Sequence, residues 1–201
     1  TNNIATVKPG DLKFEDVNGD GVIDSKDRTM IGNPTPDFTY GFSLNLGYKG
    51  FDLSAEFMGA YGNEIYRGWG ESGYATLNYQ AHRLNRWHGE GTQTNARYPR
   101  MGGTDSNNSI LQSDRYLEDG SYLRIKMLQV GYELPAAWVS KAKLTKARVY
   151  INAQNLYTFT KYTGLDPEIG MRGGSDPLDI GVDRGYYPTP RLYSVGVELS
   201  F

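Results

Sequence analysis

The sequence predicts an all-β fold, a transmembrane antiparallel β-barrel to which this chain contributes about five carboxyl-terminal strands. Three observations point there. Residues 191–201 (RLYSVGVELSF) alternate throughout, with Tyr193, Val195, Val197, Leu199 and Phe201 on one face and Ser194, Gly196, Glu198 and Ser200 on the other. Such a strand has one apolar and one polar face, and about 9–11 residues cross a bilayer when tilted. The composition, with 25 Gly, 16 Tyr, 7 Phe and 3 Trp at a mean hydropathy of -0.57, is rich in strand-forming aromatics yet too polar for a membrane helix. Short connections alternate with long Gly-rich loops, as barrel turns do on one side of a membrane and loops on the other. A half-buried strand of a soluble sandwich would alternate in the same way.

Taken in order, residues 1–37 read as an outer loop and 38–201 as strands with their loops. Residues 38–48 (FTYGFSLNLGY) place Phe38, Tyr40, Phe42, Leu44, Leu46 and Tyr48 on one face. Lys49 and Gly50 make a two-residue connection in which glycine supplies a positive φ. Residues 51–61 resume the pattern, with Phe51, Leu53, Ala55, Phe57 and Tyr61 opposed to Asp52, Ser54, Glu56 and Met58. A third strand is expected near 121–134, with its alternation slipping between Ile125 and Leu128, the mark of a bulge. Residues 135–147 can hold one helical turn or two, a fourth strand runs from 148 to about 160, and the closing strand follows a second long loop.

The alternation predicts that Phe42, Leu44, Phe57, Val195, Val197 and Leu199 face lipid, and that Ser43, Asn45, Glu56 and Glu198 face the lumen. Both short turns fall on one side, periplasmic if the chain ends there. Tyr48, Phe51 and Trp138 then lie where an interfacial aromatic girdle belongs. Five strands cannot close a bacterial single-chain barrel, which needs an even number of at least about eight. Tyr193, Val195, Val197, Leu199 and Phe201 are the expected barrel-closing signal.

Residues 16–27 (DVNGDGVIDSKD) carry oxygen donors at calcium-loop spacing: Asp16, Asn18, Asp20, Asp24 and Asp27 at positions 1, 3, 5, 9 and 12. Gly21 occupies the sharp turn and Val22 offers its carbonyl. Position 12 is Asp in place of the usual bidentate Glu. The other reading is an Asp/Asn/Gly turn held by its own side-chain hydrogen bonds.

The remaining chemical signals are weak, and no enzyme is expected. Gly68, Gly70 and Gly73 satisfy G-x-G-x-x-G, but no apolar helical repeat follows. His82 and His88 lack metalloprotease spacing, and Asp166, Glu168, Asp176, Asp179 and Asp183 read as solvated loop charges without the fixed separation of a glycosidase pair. Cysteine is absent, and a net charge of -2 argues against a nucleic-acid partner. Trp69, Tyr74, Tyr79, Trp87, Tyr186 and Tyr187 are loop aromatics suited either to stacking on cargo or a partner, or to packing the loops.

Ordered blocks then resemble one family. Residues 9–63 contain the NGDG-ID-D block, the YGF entry into a strand and the KGFDLS turn. DGSYLRIKMLQVGYELP, NLYTFTKYTGLDPE and PTPRLYSVGVELSF follow in order to the end. The chain resembles the carboxyl-terminal region of SusC/RagA-type TonB-linked outer-membrane proteins. The resemblance implies a barrel of roughly 22 strands in the Gram-negative outer membrane, with a lumenal plug and a TonB-contacting part outside this chain. It further implies a SusD-like surface lipoprotein as lid and import of nutrient oligomers, usually oligosaccharides and sometimes peptides. A soluble calcium-binding β-sandwich module is the alternative, which detergent-free solubility would distinguish.

Overall fold

The computed structural model describes residues 2–3, 7–68, 81–91, 98–100, 113–169 and 180–201. Trp69, Tyr74, Tyr79, Gly70, Gly73, Asp176 and Asp179 lie outside the described residues, as does the side chain of His82. Backbone contacts gather the chain into two units, one formed by 1–32 with 68–117 and the other by 33–67 with 118–201.

The second unit holds the sheet. Its long strands are β1 (Phe38–Tyr48), β2 (Phe51–Tyr61), β3 (Tyr122–Glu133), β4 (Lys146–Thr160) and β5 (Leu192–Ser200). Each pairs antiparallel with the next, giving the order β1-β2-β3-β4-β5. This meander puts both short connections at one end and both long loops at the other. The first turn takes its shape from Lys49 at φ 49° and Gly50 at φ 87°. Two positive φ values match a hairpin turn to the right-handed twist of its strands. The second connection contains a helical turn, α1 (Ala136–Val139), running into a 3-10 turn (Ser140–Ala142) and anchored by buried Val139.

The register lines up complete rows. Tyr48, Phe51, Tyr132, Val149 and Val197 form one apolar row, and Leu46, Leu53, Val130, Ile151 and Val195 form the next. Leu44, Ala55, Leu128, Ala153 and Tyr193 follow on the same face. Phe42 stacks on Phe57 with ring centroids 4.4 Å apart. The opposite face carries rows such as Asn45, Ser54, Gln129, Asn152 and Ser194. The expected faces of the closing strand and of the first hairpin are therefore those observed. The slip in β3 is a bulge at Lys126: Glu56 pairs with Met127 but Phe57 with Ile125. A second irregularity lies opposite, where Asn155 takes φ 51°.

The apolar face is open. Phe42 is 53% exposed, Ile151 61% and Val195 76%, and among the described residues no second sheet covers them. A sandwich requires two sheets packed about 10 Å apart, so the described sheet lacks the defining feature of the soluble alternative.

In the first unit, Asp11 is buried and pairs with Arg100 at 2.6 Å. The Arg115 guanidinium lies over the Tyr98 ring at 5.0 Å. Val22–Ile23 pairs with Asn2–Asn3.

Candidate functional site

The polar face of the sheet carries two charged centres. Towards the long-loop end, Arg124 of β3 sits between Met58 of β2 and Thr158 of β4 and is only 2% exposed. Its Nε donates to Thr158 Oγ1 at 2.8 Å and its Nη1 to Glu168 Oε2 at 2.7 Å, while Nη2 donates to Asp166. Lys126 Nζ, at the bulge, reaches the same Glu168 oxygen at 3.2 Å. Loop 161–169 is thereby fixed to the wall. The Thr189 amide donates to Asp166 Oδ2 at 3.0 Å and Asn155 Nδ2 to Pro190 O at 3.1 Å, which ties down the segment entering β5. Burial pushes the Asp166 carboxyl up, but the Thr189 and Glu168 amides and the Arg124 guanidinium outweigh it and hold the group below the usual carboxylate range.

These loops enclose a groove of about 500 Å³ over Arg124 and Thr158, edged by Leu165, Tyr187 and Arg191. Tyr187 is 91% exposed there. Beside it, Tyr66 and Arg67 pair in parallel with Val182 and Asp183. Tyr162 donates its hydroxyl to the buried Asp183, and Glu118 accepts from the Thr163 amide at 2.8 Å.

The solvated reading of the loop carboxylates is thus corrected for Asp166 and Asp183, and for Glu168, which Arg124 and Lys126 both bind. Asp166 in its loop faces Arg124 of β3, and Asp183 is 2% exposed and accepts from the Tyr162 hydroxyl. The two lie close in sequence to other loop charges, and only the folded chain brings their partners to them. Arg124 was missed as well, although two basic residues at alternate positions of β3, Arg124 and Lys126, were the available signal.

Towards the short-turn end, Arg148 of β4 donates to Asp52 of β2 through Nε at 2.8 Å and Nη2 at 2.5 Å, and to Glu198 of β5 at 3.0 Å. Its guanidinium lies 5.0 Å from the centre of the Tyr150 ring.

In loop 16–27, Asp16 accepts from the amides of Gly19 and Gly21, each at 2.7 Å. Asp20 accepts from Val22 N at 2.9 Å, and Asp24 from Lys26 N at 2.8 Å. Asn18 Nδ2 donates to Asp20 Oδ2 at 3.0 Å. Asp27 accepts from Val17 N at 3.0 Å and Asp24 N at 2.7 Å. The Asp24 amide chiefly, with those of Val17 and Asn18, holds Asp27 below the usual carboxylate range despite partial desolvation. Gly21 takes φ 79°, as a sharp calcium-loop turn demands. Among the described residues no group of three acidic or histidine side chains converges as a formed metal cluster. The donor set and the glycine suit a hard cation, and the amide bonds equally suit a self-closed turn.

Of the loop aromatics, Trp87 packs against Gly10, so closely that any side chain at position 10 would overlap its ring. Tyr186 donates its amide to Asp183 Oδ1 at 3.2 Å, and its hydroxyl is buried without a hydrogen-bond partner among the described residues. Tyr187 alone of these three projects freely.

No family model matches the chain. Curated relatives do: TonB-dependent receptor P3 of Formosa agariphila is 39% identical over 96% of this chain, and TonB-dependent receptor SusC of Bacteroides thetaiotaomicron is 29% identical over 96%. Each match spans about a fifth of the relative's length, 19% and 18% respectively. A solved structure of the RagAB peptide importer in its closed-closed state superposes with a TM-score of 0.71 at 31% identity, over 90% of this chain and 19% of that one. A second RagAB peptide transporter structure gives 0.67 at 33% identity, over 83% and 17%. Over nearly its whole length the chain is homologous to SusC/RagA-type TonB-dependent receptors.

As part of such a receptor, the sheet is a piece of a larger barrel wall in the Gram-negative outer membrane. Its open apolar rows meet lipid, since a barrel that spans a membrane turns its apolar face outward. The Arg124 and Arg148 centres then lie on the inner wall of the receptor. Its relatives are named as receptors and transporters and not as enzymes.

Proposed function

We propose that this chain forms wall strands and loops of a TonB-dependent importer of nutrient oligomers. The observation that carries this reading is the two-faced sheet, apolar and open on one side and charged and hydrogen-bonded on the other, in a chain that superposes on the RagAB importer. The cargo is an oligosaccharide or a peptide; RagAB among the similar structures is a peptide importer, and the oligosaccharide rests on the family resemblance of the sequence. A SusD-like surface lipoprotein works as lid, and TonB acts through a part of the receptor outside this chain. The short turns face the periplasm and the long loops the exterior, and β5 takes part in closing the barrel.

Loop 16–27 holds one calcium ion outside the membrane through Asp16, Asn18, Asp20, the Val22 carbonyl, Asp24 and Asp27. Supporting this are the ligand spacing and the positive φ of Gly21. Tyr187, Tyr186 and Trp87 remain the described aromatics available for cargo or partner contact, Tyr187 foremost.

The test is uptake by the source bacterium with and without the gene for the whole receptor. Loss of labelled oligosaccharide or oligopeptide uptake, abolished equally by a protonophore, is expected. Unchanged uptake of both classes would end the importer reading.

A further inference from the structure

We propose that the short-turn end of the sheet binds anionic phospholipid headgroups through Lys49, Lys141 and Lys143, set beside Tyr48, Phe51 and Trp138. This rests on the barrel reading and goes beyond it by naming a lipid class and the residues that select it. The aromatic row nearest the turns is Tyr48, Phe51 and Tyr132, with Phe51 and Tyr132 centroids 4.4 Å apart. Tyr48 is 71% exposed and Phe51 57%, at the edge of the lipid-facing band. Aromatic rings of this kind settle at headgroup level.

The lysines lie at the same end. Lys49 Nζ lies 5.1 Å from the centre of the Tyr48 ring, which places its ammonium at the margin of the apolar face. Glu133 N donates to Gly50 O at 2.7 Å, so the first turn adjoins the start of the second connection. There Val139 is buried and anchors the helical turn, leaving Trp138 65% exposed. Lys141 follows Trp138 by three positions, the spacing of helix-surface neighbours, and Lys141 and Lys143 are both exposed.

Charge balance selects the partner. Residues 49–50 and 134–145 contain no Asp or Glu. The acids nearest these turns are already engaged: Glu133 pairs with Lys146 at 3.1 Å, and Asp52 and Glu198 hold Arg148. Register puts those acids on the polar face, away from lipid. Among the described residues Lys49, Lys141 and Lys143 have no ion pair. Three uncompensated ammonium groups beside an aromatic girdle match a phosphate carrying a net negative charge better than a zwitterionic headgroup.

The experiment places the whole receptor in nanodiscs of mixed phosphatidylglycerol and phosphatidylcholine and counts the lipids retained by native mass spectrometry. Heat-modifiable gel mobility is followed in parallel as the measure of a folded barrel. Each lysine at an anionic surface is worth roughly a fivefold preference. Wild type should enrich phosphatidylglycerol, high salt should remove the enrichment, and K49Q/K141Q/K143Q should lose it while remaining heat-modifiable. Lys161→Gln, at the far end of the sheet, should leave it unchanged. Equal retention of both lipids by wild type, or enrichment that survives the triple substitution or high salt, would overturn the proposal and leave the barrel reading intact. A wild-type receptor with no heat-modifiable form would overturn both.

Discussion

Arg148 reaches past β3 to grip Asp52 with two nitrogens, at 2.8 and 2.5 Å, so that a strand and its next-but-one neighbour are tied directly. The intervening residue is Gly131, paired with Asp52 on one side and Tyr150 on the other. A methyl group there would overlap both the Asp52 carboxylate and the Arg148 guanidinium. Glycine is needed for space, so that a planar bidentate pair can form above the backbone.

Gly131→Ala should accordingly weaken the wall without touching a charge. Arg148→Ala should weaken it more, because Asp52 and Glu198 would both lose their counter-ion. Glu198→Gln should do least, as the Asp52 fork survives. The temperature at which the whole receptor loses heat-modifiable mobility gives the order; Gly131→Ala matching wild type would refute the steric argument.

The lipid face predicts a contrast between neighbours in one strand. Leu44 pairs with Ala55 in an apolar row, whereas Ser43 pairs with Glu56 on the polar face. Leu44→Arg should cost about 2–4 kcal/mol if it lies near the bilayer midplane, and Ser43→Arg far less. The amount of folded receptor recovered from outer membranes reads the difference.

The strands were legible because alternation reports which face a residue occupies. Even the bulge at Lys126 was visible as a slip between Ile125 and Leu128. Contacts across the face were not. Arg148 and Asp52 are 96 positions apart, and Arg124 and Asp166 are 42 apart, so only the register brings them together. The irregularity at Asn155 was hidden for a related reason: Val149, Ile151, Ala153, Tyr157 and Phe159 keep to odd-numbered positions through it, leaving no slip to see.

The turn between β1 and β2 predicts a second asymmetry. With Lys49 and Gly50 both at positive φ, Gly50→Val should cost about 1–2 kcal/mol, while Lys49→Asn, suited to the left-handed region, should be neutral or slightly stabilising. Comparing the thermal loss of folded mobility for the two variants tests this.

Asp166 predicts how the loops respond to acid. A carboxyl whose folded pKa lies below its unfolded value, about 3.9, stabilises the fold above that value and loses its contribution as pH falls through the folded pKa. Attachment of loop 161–169 and of Thr189 should be constant at neutral and mildly acidic pH and loosen only below about pH 4. Hydrogen exchange at the Thr189 and Glu168 amides is the measurement. Asp166→Asn should raise exchange at neutral pH and flatten its acid dependence.

Loop 16–27 allows its two readings to be separated by a single charge. Asp16 and Asp27 each close the loop through backbone amides, so replacing either disturbs the turn whether or not a cation binds. Asp20 differs: its Oδ1 accepts from Val22 N, its Oδ2 accepts from Asn18, and its contact with Lys26 is 3.7 Å long. Asp20→Asn keeps an oxygen for the Val22 amide and removes the negative charge together with the acceptor of the exposed Asn18 side-chain bond. A self-closed turn should tolerate it, whereas a calcium loop loses one of its charged ligands, and charge count is a main determinant of affinity in such loops. Isothermal titration of the whole receptor should therefore show calcium binding that weakens on Asp20→Asn, with amide exchange of Val22 in calcium-free protein unchanged. No calcium binding to the wild-type receptor would leave the self-closed turn as the whole account of this loop.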